Sequence, residues 1–411
     1  MTEELARAFA DQWGRVVATL VRVTGDWALA EDCAQDAFAA AAVAWPRDGV
    51  PRSPGAWLTT VARNRALDRL RRATTERRVL ERTAGSIASE EADAVEPDDV
   101  PDDRLRLIFT CCHPALPLES RVALTLRTLC GLRVEEIARV FGTGEAAMAK
   151  RLVRAKQKIQ RAHIPYRVPS GTALAERLAG VLGVLSLLFT EGYAPSGGDT
   201  VVRPELSAEA IRLTRVLAAL MPGEAEVWGL LALELFQDSR RAARTGADGA
   251  LVPLDEQDRG RWDTGLIAAG EAALSAGERI GGPAGPYLLQ ARIAAEHARS
   301  LAAGRADRAA IVRHYAALAA LLPSPHVALA RAIAVGAAEG PDAGLAELAA
   351  LRATGVLGLD HYLPSAEADL LRRAGRYVEA ADAYGAALAL VRNGAERDYL
   401  ARRLAEVEGR S

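Results

Sequence analysis

Apolar positions return every three to four residues along most of this chain, the period of helices that bury one face. Between Trp57 and Arg72, Leu58, Ala62, Ala66 and Leu70 repeat every four residues and predict a helix with those side chains against a core. Val134, Ile137, Ala138 and Phe141 predict a second helix, and Met148, Leu152, Ala155 and Ile159 a third. Gly142-Thr143-Gly144 separates these two, with Thr143 or Gly144 able to cap the third helix. The pattern lapses where Pro46, Pro51 and Pro54 gather in one loop of the otherwise helical stretch 1–73. It lapses again from Thr83 to Asp103, whose few apolar residues have no period and predict a flexible tether. Residues 172–411 are rich in Ala and Leu, and their helices alternate with breaks such as Met221-Pro222-Gly223 and Leu322-Pro323-Ser324-Pro325. Ala368, Leu371, Gly375, Tyr377, Ala380, Tyr384 and Ala387 have the offsets of a tetratricopeptide repeat. One repeat back from Tyr384 stands Ala349, then Tyr315, and Gly340 precedes Leu345 as Gly375 precedes Ala380. The fold class is all-α, ending in an array of helical hairpins whose concave groove suits a peptide, a protein or another part of the chain.

Length and composition narrow this picture. A chain of 411 residues, 50% hydrophobic, is long enough for two to three domains with sizeable cores. Its four cysteines do not form a disulfide framework and fit a reducing cytosol. Met1 to Ala10 lacks the layout of a signal peptide, and the apolar run Leu178 to Phe189 is too short to span a bilayer, so a cytoplasmic protein without a membrane partner is expected.

A net charge of −2 conceals strong local asymmetry. Lys150, Arg154, Lys158 and Arg161 recur on the side of the third helix opposite its apolar stripe, with Arg151 beside them. Two short helices about a glycine turn, the second densely basic, have the layout of a helix-turn-helix, whose second helix enters the major groove. A packed helix pair with a solvated basic face is the alternative. On the 57–72 helix Arg65, Arg69 and Arg72 share a face, with Arg63 and Asn64 close by and Asp68 the one acid. A phosphate backbone or plain solvent would suit that face. The tether carries Glu90, Glu91, Asp93, Glu96, Asp98, Asp99, Asp102 and Asp103 without a basic residue, so it would avoid DNA, acting as a solubilising linker or filling a positively charged channel of a partner. Cys111-Cys112-His113 lacks the two-residue gap that brings two thiolates onto one tetrahedral ion, and reads as a helix end before Pro114. The mixed charges from Asp238 to Asp263 read as an ion-pair network or a docking surface.

A helical module ending in WLTTVARNRALDRLRR, an acidic tether and a helix-turn-helix module together resemble a bacterial sigma factor of the compact extracytoplasmic-function class. The resemblance covers about the first 165 residues. It implies sigma domain 2 over 1–75, a linker over 76–103 and sigma domain 4 over 104–165, with 172–411 a helical-repeat extension. Asp26 to Trp45 is similar to the family's core-polymerase helix, which makes Glu31, Asp32, Gln35, Asp36 and Phe38 the implied contacts with the clamp coiled coil of the β′ subunit. Trp57, Arg63, Asn64, Arg65, Arg69 and Arg72 are the implied contacts with the unpaired minus-ten strand. Glu145, Ala146, Lys150, Arg151, Arg154 and Lys158 are those with the upstream, minus-thirty-five element. The implied partners are core RNA polymerase, including its β flap, and promoter DNA. The extension, opening on an FTEGYAPSGG-like segment, is similar to that of a subgroup with C-terminal tetratricopeptide-like domains, and would regulate activity or bind a protein or peptide.

Sigma factors perform no covalent chemistry, so no catalytic residue, cofactor or metal is expected. An enzyme in the C-terminal half finds little support, since His297, His314, His326 and His361 are scattered without a nucleophile–base pair or phosphate loop. The rival reading is a helix-turn-helix activator whose array senses a ligand or peptide. The Asp26–Trp45 block separates the two, because a free-standing activator has no use for a polymerase helix.

Overall fold

The computed structural model describes residues 3–84, 103–141, 143–195, 201–303, 306–357 and 361–410. The expected linker over 76–103 is shortened at both ends, since the helix Pro54–Ala84 takes in 76–84 and the helix Asp103–Cys111 begins at its last residue. Residues 85–102 lie outside the described residues, as do Gly142 and positions 196–200. The described chain is all-α apart from one isolated antiparallel bridge between Thr245 and Leu251. It divides into two compact units, Met1–Val184 and Leu185–Ser411.

The first unit opens with α1 (Glu3–Thr24), α2 (Trp27–Asp48) and α3 (Pro54–Ala84). Asp26 starts α2 by accepting hydrogen bonds from the backbone amides of Ala28 and Leu29, at 2.8 and 3.0 Å. Small side chains on α2 let its neighbours come close: Ala30, Cys33, Ala34, Ala37 and Ala41 are fully buried. Val16, Val17 and Leu20 of α1 and Leu58, Ala62 and Ala66 of α3 complete this core, while Leu70 is half-buried. Next along the chain come α4 (Asp103–Cys111), α5 (Leu118–Thr128), α6 (Val134–Val140) and α7 (Glu145–Arg161). Their core is formed by Leu107, Ile108, Phe109, Leu124, Leu126 and Ile137. The segment after α7 is tied back by Tyr166, whose hydroxyl donates to the carbonyl oxygens of Ala18 and Asp103 at 2.9 and 3.3 Å.

Helix α8 (Thr172–Tyr193) runs through the division between the units. Its 22 residues exceed the apolar run seen in the sequence, and among the described residues it is the helix whose length and composition would suffice to cross a membrane. Val181, Leu182, Val184, Leu185, Leu188 and Phe189 are nonetheless buried within the protein. Arg177, near its start, donates to the carbonyl oxygen of Phe109 at 2.7 Å. A core helix accounts for these features.

The second unit continues with α9 (Pro204–Leu220), α10 (Ala225–Asp238), three 3-10 turns (Arg241–Ala243, Leu254–Glu256, Arg259–Arg261), α11 (Thr264–Ile280), α12 (Pro286–Ala303), α13 (Arg308–Leu321), α14 (Pro325–Glu339), α15 (Pro341–Ala353), α16 (Tyr362–Arg373), α17 (Tyr377–Leu390) and α18 (Gly394–Glu408). Consecutive helices pack on one another as hairpins from α12 to α18. Ala368, Leu371, Ala380, Tyr384 and Ala387, singled out by their offsets, form one buried cluster with Leu400 and Val407. The repeat register drifts further back. Gly340 and Gly375 both turn in the left-handed region, but α15 starts one residue after its glycine and α17 two residues after. The buried face of α15 is thereby offset by one position, so Leu348 lies in the core and Ala349 is exposed.

Close packing of α14 on α15 depends on Gly344. A Cβ there would stand 2.8 Å from Gly336 Cα, 2.8 Å from a Leu370 methyl and 2.9 Å from the Ala332 carbonyl oxygen. Since two of these atoms are backbone, Gly344→Ala is expected to destabilise the second unit by about 1–3 kcal/mol despite alanine's helix propensity. Thermal melts would check this, and an unchanged melting temperature would mean that the hairpin opens without cost.

Candidate nucleic-acid interface

Helices α6 and α7 form the helix-turn-helix. Gly144 is the N-cap of α7, and Met148, Leu152, Ala155 and Ile159 are all buried, which fixes the rotation of the helix. Glu145, Ala146, Lys150, Arg154 and Lys158 consequently lie exposed along the opposite side. Arg151 differs from them. It is half-buried, pairs with Glu119 at 3.2 Å and stands over the Phe141 ring at 5.4 Å, so its guanidinium fixes α7 to α5 and α6.

On α3, Arg63, Asn64 and Arg72 are exposed. Arg65 and Arg69, assigned in sequence to the same strand-facing group, instead reach across to α2. Arg69 meets Asp36 at 2.7 Å and Asp32 at 3.8 Å, and Arg65 meets Asp36 at 3.3 Å. These exposed pairs are worth at most about 1 kcal/mol each and yield readily to another charged partner. Trp57 is half-buried, edge-on to Trp45 with ring centres 5.8 Å apart. Anchoring the start of α3 is therefore one use of this indole.

The residues expected to contact polymerase divide between two faces of α2. Asp32 and Gln35 are exposed and Asp36 half-buried, on one side. Phe38 faces inward, its ring 5.0 Å from that of Phe9 and 5.9 Å from that of Trp13. Glu31 faces inward too and is only 4% exposed. One of its oxygens accepts from Lys156 Nζ of α7 at 2.6 Å and the other from Arg127 Nε of α5 at 3.0 Å. Arg127 also donates to the Leu132 carbonyl oxygen at 3.0 Å. A carboxylate on the expected polymerase helix thus joins the expected upstream-element helix. Sequence reasoning missed Lys156, although the signal was there: Leu152, Ala155, Lys156 and Ile159 have the spacing of one helical face.

Cys33, Cys111 and Cys112 are buried in the core of the first unit, and Cys130 is half-buried. Burial raises the thiol pKa of Cys111, and raises that of Cys112 to about 12, against the weaker opposite effect of hydrogen bonding with Thr128 and Thr125. Both remain protonated at neutral pH and fill the core as small apolar groups. Among the described residues no cluster of three or more His, Cys, Asp or Glu side chains could hold a metal ion.

In the second unit, acids and bases near the end of α10 are partly paired. Asp238, buried, meets Arg241 at 3.2 Å and accepts from the Ser207 hydroxyl at 3.1 Å. Burial raises the pKa of Glu234 well above the usual carboxylate range, and one of its oxygens accepts from the Thr214 hydroxyl at 3.1 Å.

Comparison with known proteins assigns parts of the chain to families. Residues 11–76 match the family model for sigma-70 region 2, and residues 106–159 that for sigma-70 region 4. Residues 177–277 match a family of unknown function (DUF6596). A Rhizobium meliloti (strain 1021) relative, described as an uncharacterized protein, is 41% identical over 392 residues, covering 94% of this chain and 92% of its own. A probable RNA polymerase sigma factor, RfaY, of Xanthomonas campestris pv. campestris is 33% identical over 156 residues, covering 35% of this chain and 36% of its own. No solved structure matches the chain.

Proposed function

Because the chain belongs to the sigma-70 family, with regions 2 and 4 in the manner of an extracytoplasmic-function sigma factor and a C-terminal extension behind them, we propose that three exposed surfaces divide its work in promoter-specific transcription. Core RNA polymerase and promoter DNA are its partners. The outer face of α2, with Asp32, Gln35 and Asp36, docks on the clamp coiled coil of the β′ subunit. The outer face of α7, with Glu145, Ala146, Lys150, Arg154 and Lys158, enters the major groove of the upstream element, with region 4 against the β flap. Arg63, Asn64 and Arg72 of α3 follow the unpaired minus-ten strand, and Arg65 and Arg69 join them when polymerase takes over Asp36 and Asp32. The domain limits 1–75, 76–103, 104–165 and 172–411 belong to this same reading.

The observation that carries it is the separation of buried from exposed groups on α7. Its apolar stripe is wholly buried while Lys150, Arg154 and Lys158 face solvent together. A helix that served only packing would need no cationic row. The extension, built of helical hairpins, regulates this activity through a ligand or a protein or peptide partner.

Polymerase docking is tested by pull-down. Asp32→Arg with Gln35→Ala is expected to abolish capture of core polymerase by the full-length chain, because it sets a cation against a surface that selects acids and leaves no buried group unpaired. Unchanged capture would remove α2 from the interface and favour the activator reading.

A further inference from the structure

Three arginines of the second unit gather without an acid among them. Arg240 follows α10, Arg244 follows the first 3-10 turn and Arg259 begins the third. The guanidinium carbons of Arg244 and Arg240 lie 4.0 and 6.0 Å from the centre of the Tyr193 ring. Arg240 and Arg259 lie 6.0 and 5.8 Å from the centre of the Trp262 ring. Two buried rings therefore link three cations into one patch.

Hydrogen bonding leaves this patch open. Elsewhere in the unit Arg203 meets Glu191 at 3.0 Å and Arg299 meets Glu271 at 2.9 Å. Among the described residues Arg240, Arg244 and Arg259 form no such pair; Arg259 donates to the Ser300 carbonyl oxygen at 3.4 Å, and the buried Arg244 Nε has no partner. Of the nearby acids, Asp258 and Asp263 accept from the backbone amides of Gly260 and Leu266, and Asp255 is exposed and makes no ion pair with the three arginines. Ring faces attract a guanidinium but offer no acceptor to its in-plane N–H groups, and they leave the repulsion between the cations in place. His297 responds to the same field. Burial, helped by Arg240 and Arg259 and opposed by Asp255, lowers its pKa to about 4, so it adds no charge of its own at neutral pH.

We propose that this patch binds a small molecule bearing a phosphate monoester group. A carboxylate, with one charge and two oxygens, satisfies one guanidinium fork. A phosphate dianion with three terminal oxygens matches several forks at once. The half-burial of Arg240, Arg244 and Arg259 beside buried Tyr193 and Trp262 strips water from the three guanidinium groups and strengthens their pull on a compact, multiply charged anion. Such a ligand would be the effector of the extension.

Thermal melts and titration calorimetry of the full-length chain test this with inorganic phosphate, ribose 5-phosphate and malonate, in chloride of matched ionic strength. Saturating ribose 5-phosphate is expected to raise the melting temperature by about 3 °C or more. Arg240→Gln with Arg244→Gln is expected to weaken binding at least tenfold, whereas Arg292→Gln, at an arginine paired with Glu278 elsewhere in the unit, leaves it unchanged. If the double variant does not fold, Arg259→Lys serves instead: it keeps the charge, loses the fork and weakens binding several-fold. Tighter binding of ribose 5-phosphate than of inorganic phosphate supports an ester site, and equal binding of the two still supports a phosphate site. No shift beyond chloride, an equal shift in the variants, or malonate binding as tightly as the phosphates would overturn the proposal. Binding is read without polymerase, so the result is independent of the sigma-factor assignment.

Discussion

Glu31→Gln is expected to lower the melting temperature of the first unit by about 6–12 °C, corresponding to roughly 3–5 kcal/mol. The cost comes from the charges that stay behind. Lys156 and Arg127 reach Glu31 with side chains only 19% and 15% exposed. Glutamine keeps the shape and can accept a hydrogen bond, but it leaves two cations facing each other with no anion between them. Removing one partner of a buried ionic group costs more than the intact group contributes, because the remaining charges stay desolvated. Replacing all three, with Arg127→Met and Lys156→Met added to Glu31→Gln, should recover most of the loss. Hydrogen exchange should localise the effect, with faster exchange in α7, which Lys156 links to α2. Calorimetry of the full-length protein is the measurement, and a transition within about 2 °C of wild type would mean that the triad adds no net stability.

The sequence made elements legible where a single periodicity governed a face. Met148, Leu152, Ala155 and Ile159 repeat cleanly and are buried as a set, so the rotation of α7 and the exposure of Lys150, Arg154 and Lys158 followed from spacing alone. Polar residues were harder, because a charged side chain reaches solvent, an ion pair or a ring from the same position on a helix. Glu31 and Asp32 are neighbours in one acidic motif, yet one is clasped by α5 and α7 and the other is exposed. Arg151 sits within the basic row but is held by Glu119 and Phe141. Each outcome depends on helices distant in sequence. The same holds for Arg240, Arg244 and Arg259, where mixed local charge hid the fact that Asp258 and Asp263 are used by backbone amides and Asp238 by Arg241. In the repeats, a one-residue difference in helix start moved Leu348 rather than Ala349 into the core, which degenerate offsets could not show.

Lys150→Ala with Arg154→Ala and Lys158→Ala is expected to weaken promoter binding by the reconstituted holoenzyme about 100-fold at roughly 0.15 M salt. Each phosphate contact releases condensed counterions and contributes about 0.9 to the slope of log affinity against log salt, so losing three lowers that slope by about 2.7. Polymerase adds contacts of its own, and the difference between variants isolates those of α7. All three side chains are exposed, so their removal leaves the buried stripe intact and stability close to wild type. Arg151→Ala should behave otherwise. Its guanidinium is engaged with Glu119 and Phe141, so the expected result is a small loss of stability with a slope changed by much less than one contact. Fluorescence anisotropy over a series of salt concentrations measures the affinity and its slope together, and thermal melts give the stability. A triple variant with the wild-type slope would place DNA on another face of region 4, whereas a slope lost mainly through Arg151 would mean that its pairing is exchanged for phosphate on binding.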